Sequence, residues 1–111
     1  MPEATIDLAV FTELQEAAGA EFVGELVGTF FEEAPVMLAE LRTALAAQDA
    51  DTFRRAAHSL KSNSNTFGAT GLAEMARNLE LGGLIDSSAP LDALDAHYAQ
   101  AAAALKALCN G

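Results

Sequence analysis

The feature of this sequence that most constrains its fold is a long apolar stripe that begins at Phe22 and ends at Leu45. Apolar side chains recur there every three or four residues, at Phe22, Val23, Leu26, Val27, Phe30, Phe31, Ala34, Met37, Leu38, Leu41 and Leu45. This i, i+3, i+4 spacing predicts an amphipathic helix of about seven turns. Pro35 interrupts the pattern, because proline lacks an N–H and its ring clashes with the preceding turn. We therefore expect either a kink at Pro35 or two abutting helices.

A shorter helix is predicted before this stripe. Asp7 is a suitable N-cap, and the apolar positions Leu8, Phe11 and Leu14 follow it at helical spacing. Gly19 provides the stop signal, since glycine readily adopts the conformation that ends a helix. The chain therefore begins with a short amphipathic helix.

Three further helices are predicted after the stripe. Asp49 and Asp51 suit a helix N-terminus, and the helix that they start ends at Gly68. A fourth helix begins at about Ala69 and weakens at Gly82-Gly83. The run Ser87-Ser88-Ala89-Pro90 is a start signal for the last helix, whose stripe reaches Leu108.

Short connections between these segments make sequential helices antiparallel. We therefore predict an all-α fold, an up-and-down antiparallel four-helix bundle with a short extra N-terminal helix. The 111 residues are enough for one domain with its own core, spanning 1–111. The initiating Met and the absence of a linker favour a free-standing protein.

The composition restricts the partners and the compartment. Sixteen Asp and Glu against six Lys and Arg give a net charge of −10, which argues against nucleic acid or an anionic membrane as the partner. No apolar run approaches the ~20 residues of a transmembrane helix, and the acidic N-terminus does not have the order of a signal peptide. The single cysteine, Cys109, excludes an internal disulfide. We expect a cytoplasmic monomer.

One stretch of the third helix carries an unusual polar surface. Helical spacing puts the apolar or small residues on one side, at Phe53, Ala57, Leu60, Ser64 and Phe67. The other side carries His58, Lys61, Ser62 and Asn65, with Arg54 and Arg55 one turn earlier. An imidazole is therefore predicted in solvent beside three cationic side chains, in a chain with a strong negative charge.

The stretch from Ala57 to Ala69 resembles the signature of histidine-containing phosphotransfer (HPt) domains, Ala-His-x-Leu-Lys-Gly-Ser-Ser-x-x-(apolar)-Gly-Ala. The positions that match are Ala57, His58, Leu60, Lys61, Ser64, Phe67, Gly68 and Ala69. Two positions depart from it, because Ser62 replaces the usual glycine and Asn63 replaces a serine. The flanking pattern extends the resemblance from about Phe11 to Leu108.

The resemblance implies a phosphorelay intermediate. His58 would accept a phosphoryl group from a phospho-aspartyl receiver domain of a hybrid kinase and pass it reversibly to a response regulator. Lys61 would stabilise the phosphoryl charge, and Glu80, twenty-two residues after His58, would orient the imidazole. The protein would be a carrier with no ATP site of its own rather than an enzyme. It would need no cofactor, and Mg²⁺ would belong to the partner receiver domain.

A partner surface is expected around His58. Arg54 and Arg55 would steer an acidic receiver, unless they pair with Asp51 on their own helix. Ser62 and Asn65 would contact the partner, and the Ser62 hydroxyl would be able to hydrogen-bond a phosphoryl oxygen. The apolar residues Leu8 and Phe11 would either form a docking patch or seat the first helix on the bundle.

The remaining candidates for chemistry are weaker. His97 lacks a lysine three residues on, so we expect it to be incidental. A di-iron site of the bundle type needs a Glu three residues before each histidine, but those positions are Arg55 and Leu94. No metal site is therefore predicted.

Two other functions remain open. One alternative to the relay is a substrate domain of a chemotaxis-type histidine kinase on another chain. The other is a helical adaptor that binds a receiver domain without chemistry. Labelling by a kinase without exchange with receivers would indicate the first. The absence of any phosphoryl transfer would indicate the second.

Overall fold

The computed structural model describes residues 6–110. Residues 1–5, which include most of the acidic N-terminal stretch, and residue 111 lie outside the described residues, so the expectation about a signal peptide falls outside them too. Five helices and no strand make up the described part, in the order α1 (Leu8–Ala18), α2 (Ala20–Ala47), α3 (Ala50–Thr66), α4 (Thr70–Gly82) and α5 (Ala89–Asn110). The predicted all-α fold is confirmed, and each predicted helix is present.

Helices α2 to α5 form the up-and-down bundle, and α1 is the extra N-terminal helix. Helix α3 packs against both α2 and α4, while α5 closes the bundle against the same two helices. The largest side chains at the centre of the core come from α2 to α5, and they are Val23, Leu41, Phe53, Leu60, Leu72, Leu91, Leu94 and Leu105. Full burial of such a side chain stabilises the fold by about 1.5–3 kcal/mol. Helix α3 is therefore held on two sides and leaves one face free.

Helix α2 runs through Pro35 without a break. One helix spans Ala20–Ala47 with the proline inside it, so the alternative of two abutting helices is wrong. Pro35 is exposed, whereas the preceding residue, Ala34, is fully buried. Proline removes one hydrogen bond of α2, and core packing by residues on either side of Pro35, such as Ala34 and Leu41, holds the helix together.

The turn between α3 and α4 requires a glycine for two reasons. Gly68 has a φ of 80°, a conformation that residues with a Cβ rarely adopt. A Cβ added there would lie 2.7 Å from the backbone oxygen of Asp7, whose N–H donates a 2.7 Å hydrogen bond to the Gly68 carbonyl. Gly68 therefore ends α3, as predicted, and also anchors the start of α1 at this turn.

Candidate functional site

Helix α3 presents the polar face that its periodicity predicts. Ala57, Leu60 and Ser64 are fully buried between α2 and α4. The side chain of His58 lies on the opposite side and is 54% exposed. The packing of α3 thus keeps the imidazole accessible to a second protein.

The carboxylate of Glu80 on α4 holds the His58 ring. Its Oε2 lies 2.7 Å from His58 Nδ1, and the Glu80 side chain is only 13% exposed. Hydrogen bonds from Lys61 and then from His58 lower the pKa of Glu80 below its ordinary value of 4.5, although desolvation opposes them. An ionised carboxylate can only accept, so Nδ1 carries the proton and donates it. The neutral ring then has its lone pair at Nε2.

Lys61 is paired with the other oxygen of the same carboxylate. Its Nζ lies 2.8 Å from Glu80 Oε1, and the lysine side chain is 24% exposed. Oε1 is buried, and the ammonium is its only ionic partner in the described part of the chain. The structure therefore brings the three predicted residues His58, Lys61 and Glu80 together, with Glu80 between the two basic side chains.

The two arginines one turn earlier are also paired. Arg54 Nη2 lies 3.1 Å from Asp51 Oδ1, and Arg55 Nε lies 3.1 Å from Asp51 Oδ2. All three side chains are largely exposed to solvent. The structure thus shows the alternative in which Asp51 pairs with both arginines, and the positive charge of this surface is reduced by one.

The two departures from the HPt signature differ in position. Ser62 is exposed one turn after His58, on the same face, and its carbonyl accepts a bond from the Thr66 hydroxyl. Asn63 is half-buried and turns towards α2, where its amide lies 3.8 Å from the Met37 sulfur. Only Ser62 therefore lies next to the imidazole.

A polar groove of about 320 Å³ continues from Lys61 between α3 and α4. It is lined by Lys61, Asn65, Thr70, Ala73, Glu74 and Arg77. Asn65, a predicted partner contact, is exposed here, whereas Arg77 was not predicted as a site residue. The signal for Arg77 was present, because it precedes Glu80 by three residues and therefore shares its helix face.

The two apolar residues proposed for docking separate in the structure. Leu8 is 58% exposed, but Phe11 is only 2% exposed and belongs to the core cluster. The prediction that Phe11 contacts a partner is wrong, because this ring faces inward where α1 packs on the bundle. Leu8 stays available on the surface.

The second histidine has a different environment. His97 on α5 is half-buried, and its Nε2 would lie 2.7 Å from a Cβ added at Gly71. The ring thus packs closely on the backbone of α4. Within residues 6–110, no three His, Cys, Asp or Glu side chains gather where they could hold a metal ion.

The fold and this site define a class of helical bundle that presents one surface histidine, held through Nδ1 and open at Nε2. The family model described as the Hpt domain matches residues 25–104, most of the chain, and the chain belongs to this family. No curated protein and no solved structure matched the chain. Hpt domains are phosphocarrier modules that interact with receiver domains, so the chain has a phosphotransfer-related function in two-component signalling.

The family match does not include the first helix, and the described helices do not include a membrane-spanning one. The match begins at Glu25, so α1 with Leu8 and Phe11 lies before it. Among the helices that the structure describes, none is both long and apolar enough to cross a membrane.

Proposed function

We propose that the chain is a phosphorelay intermediate that carries a phosphoryl group on His58. It accepts the group from the aspartyl phosphate of one receiver domain and passes it reversibly to another. The observation that carries the proposal is the 2.7 Å contact of His58 Nδ1 with Glu80 on a ring that is 54% exposed. This contact fixes the tautomer and leaves the Nε2 lone pair as the nucleophile.

The proposed transfer balances without a further reactant. The Nε2 lone pair of His58 forms a bond to phosphorus while the bond between phosphorus and the aspartyl oxygen breaks. The aspartate leaves as a carboxylate, and the Nδ1 proton stays on the ring, hydrogen-bonded to Glu80. Lys61 neutralises part of the phosphoryl charge as it accumulates in the loose transition state. The reverse step releases a neutral imidazole, which is a good leaving group.

The partner supplies the rest of the chemistry. Mg²⁺ is expected in the acidic active site of the receiver domain, and the chain itself acts as a carrier without cofactor or ATP site. The proposed contact surface combines the apolar Leu8 with the polar residues around His58, which are Arg54, Arg55, Ser62 and Asn65. We expect a monomer that works in the cytoplasm on receiver domains of hybrid kinases and response regulators.

The test is incubation with phosphorylated receiver domains, followed by mass spectrometry of the intact chain. The proposal expects one acid-labile phosphoryl group and its return to unphosphorylated receivers. Labelling by a kinase and ATP, with no exchange to any receiver, would instead identify a kinase-substrate domain. Binding of a receiver without any transfer would identify an adaptor, and either result would overturn the relay proposal.

A further inference from the structure

Glu80 divides its two oxygens between two different partners. Oε2 accepts a hydrogen bond from His58 Nδ1–H at 2.7 Å, and Oε1 lies 2.8 Å from Lys61 Nζ. With a neutral imidazole, the carboxylate and the ammonium sum to zero charge. Lys61 therefore serves as the counter-ion of Glu80 before any phosphoryl group arrives.

Phosphorylation changes which anion needs that counter-ion. Once Nε2 bonds to phosphorus while Nδ1 keeps its proton, the ring carries a positive charge. The imidazolium then compensates Glu80 directly through the existing Nδ1–H bond. At the same moment, the phosphoryl dianion appears on the other ring nitrogen without a cation of its own.

We propose that Lys61 exchanges counter-ions during the reaction, pairing with Glu80 when His58 is free and with the phosphoryl oxygens when His58 is phosphorylated. The imidazolium replaces Lys61 at Glu80, so neither the carboxylate nor the phosphoryl group is left without a cation. This inference rests on the proposed acceptance of a phosphoryl group by His58. It adds that Glu80 positions Lys61 as well as the imidazole.

The position of Lys61 suits such an exchange. It lies three residues after His58, so the two side chains share one helix face. Its four-carbon stem is flexible, and its ammonium has three rotatable donors. The departure of Lys61 leaves the buried Oε1 without an ionic partner, which is unfavourable as long as the ring is neutral. The charge on the phosphorylated ring offsets this penalty, so the exchange is coupled to the transfer step.

The chain is well suited to a direct test because it contains only two lysines, Lys61 and Lys106. A lysine-specific acylating reagent, applied briefly and read by peptide mass spectrometry, reports how strongly each amine is held. Lys106 is exposed near the end of α5 and normalises the labelling in every sample. The variant Glu80→Gln keeps an amide oxygen for Nδ1–H but offers no charge to Lys61. Asp51→Asn is the matched control, since it removes a carboxylate elsewhere on α3.

In the unphosphorylated state, Glu80→Gln should raise the labelling of Lys61 by about three- to tenfold, while Asp51→Asn leaves it unchanged. Phosphorylation of Glu80→Gln, by a phosphorylated receiver or by phosphoramidate, should lower Lys61 labelling again by a similar factor. Unchanged labelling in unphosphorylated Glu80→Gln would overturn the resting pair. Labelling that stays high after phosphorylation would overturn the exchange.

A second measurement needs no variant. In the wild-type chain, the ¹⁵N resonance of Lys61 Nζ should shift on phosphorylation more than that of Lys106, and equal shifts would contradict the exchange. Mass spectrometry of the same samples separates the two proposals. If no donor places a phosphoryl group on His58, the proposed function fails and the exchange fails with it. If His58 is fully phosphorylated but Lys61 does not respond, only the exchange is wrong.

Discussion

Helix α3 takes part in two charge clusters of the same composition, one carboxylate between two basic side chains. In the first cluster, Asp51 lies 3.1 Å from both Arg54 and Arg55, and its side chain is 64% exposed. In the second, Glu80 lies 2.7 Å from His58 and 2.8 Å from Lys61, and its side chain is 13% exposed. The contacts are shorter at the carboxylate that is less exposed to solvent.

The difference shows why only one cluster is suited to chemistry. Water screens the Asp51 cluster, whose members belong to one helix and are free to rearrange. The Glu80 cluster joins α3 to α4, so the packing of two helices fixes the distance between carboxylate and imidazole. Because Glu80 is largely buried, water screens its charge only weakly, and the two basic neighbours balance that charge instead. We therefore expect the two clusters to respond differently to mutation, partner binding, acid and salt.

The largest difference should be in the rate of phosphoryl transfer. Glu80→Ala removes the acceptor for His58 Nδ1–H and should slow transfer from a phosphorylated receiver by about 10- to 100-fold, as for other groups that orient a reactive histidine. Asp51→Ala, the matched control, should change the rate by less than about twofold. Rapid-quench kinetics with both variants measures this contrast. Equal rates for the two variants would show that the Glu80 contact does not matter for transfer.

Partner binding should show a smaller difference between an apolar residue and the exposed charges. Leu8→Ala should weaken receiver binding by about fivefold, mainly through faster dissociation. Arg55→Ala should slow association modestly, and added salt should remove that effect because it screens exposed charges. Surface plasmon resonance across a salt series measures both rates. Normal binding of Leu8→Ala, with a complex that salt abolishes, would mean that docking is electrostatic.

The contribution of the Glu80 cluster to the free energy of unfolding should depend on pH. The folded-state pKa of Glu80 lies below its ordinary value of 4.5, so its ionised form stabilises the fold above that pH. This contribution is lost as the pH falls through the lowered pKa. The difference in unfolding free energy between wild type and Glu80→Gln should therefore shrink from about pH 6 to about pH 3. Urea unfolding at several pH values checks this, and a constant difference would contradict the assignment of the pKa shift.

The smallest effect is expected at the exposed cluster itself. Arg54→Ala removes one screened pair and should lower the free energy of unfolding by less than about 0.5 kcal/mol. High salt should abolish even this difference. Thermal unfolding at low and high ionic strength is sufficient to measure it. A loss above about 1 kcal/mol would mean that the Asp51 cluster is a structural element of α3.

The helices could be predicted from the sequence because their signals are local. A helix cap or stop depends on residues within one or two turns, as at Asp7, Asp49 and Gly68. The stripe from Phe22 to Leu45 repeats a spacing of three or four residues, which is also local. Both predicted caps accept backbone N–H bonds in the structure. The continuity of α2 through Pro35 was not predictable in this way, since it depends on core contacts with other helices.

The site was predictable only in part for the same reason. The exposure of His58 and its proximity to Lys61 follow from the period of one helix. The contact with Glu80 depends on how α3 and α4 align, and its prediction came from the family resemblance. The burial of Phe11 and the place of Arg77 in the groove also depend on helix packing. For Phe11 the sequence left docking and the seating of α1 as two alternatives, and Arg77 was missed.

We propose that His58 alone carries the phosphoryl group, since among the contacts of residues 6–110 only this histidine is held at Nδ1 by a carboxylate and exposed to a partner. The most direct test is labelling from a phosphorylated receiver in His58→Gln and His97→Gln. We expect no acid-labile label on His58→Gln and full labelling of His97→Gln, because the wild-type His97 ring packs against Gly71. Label retained on His58→Gln would contradict it.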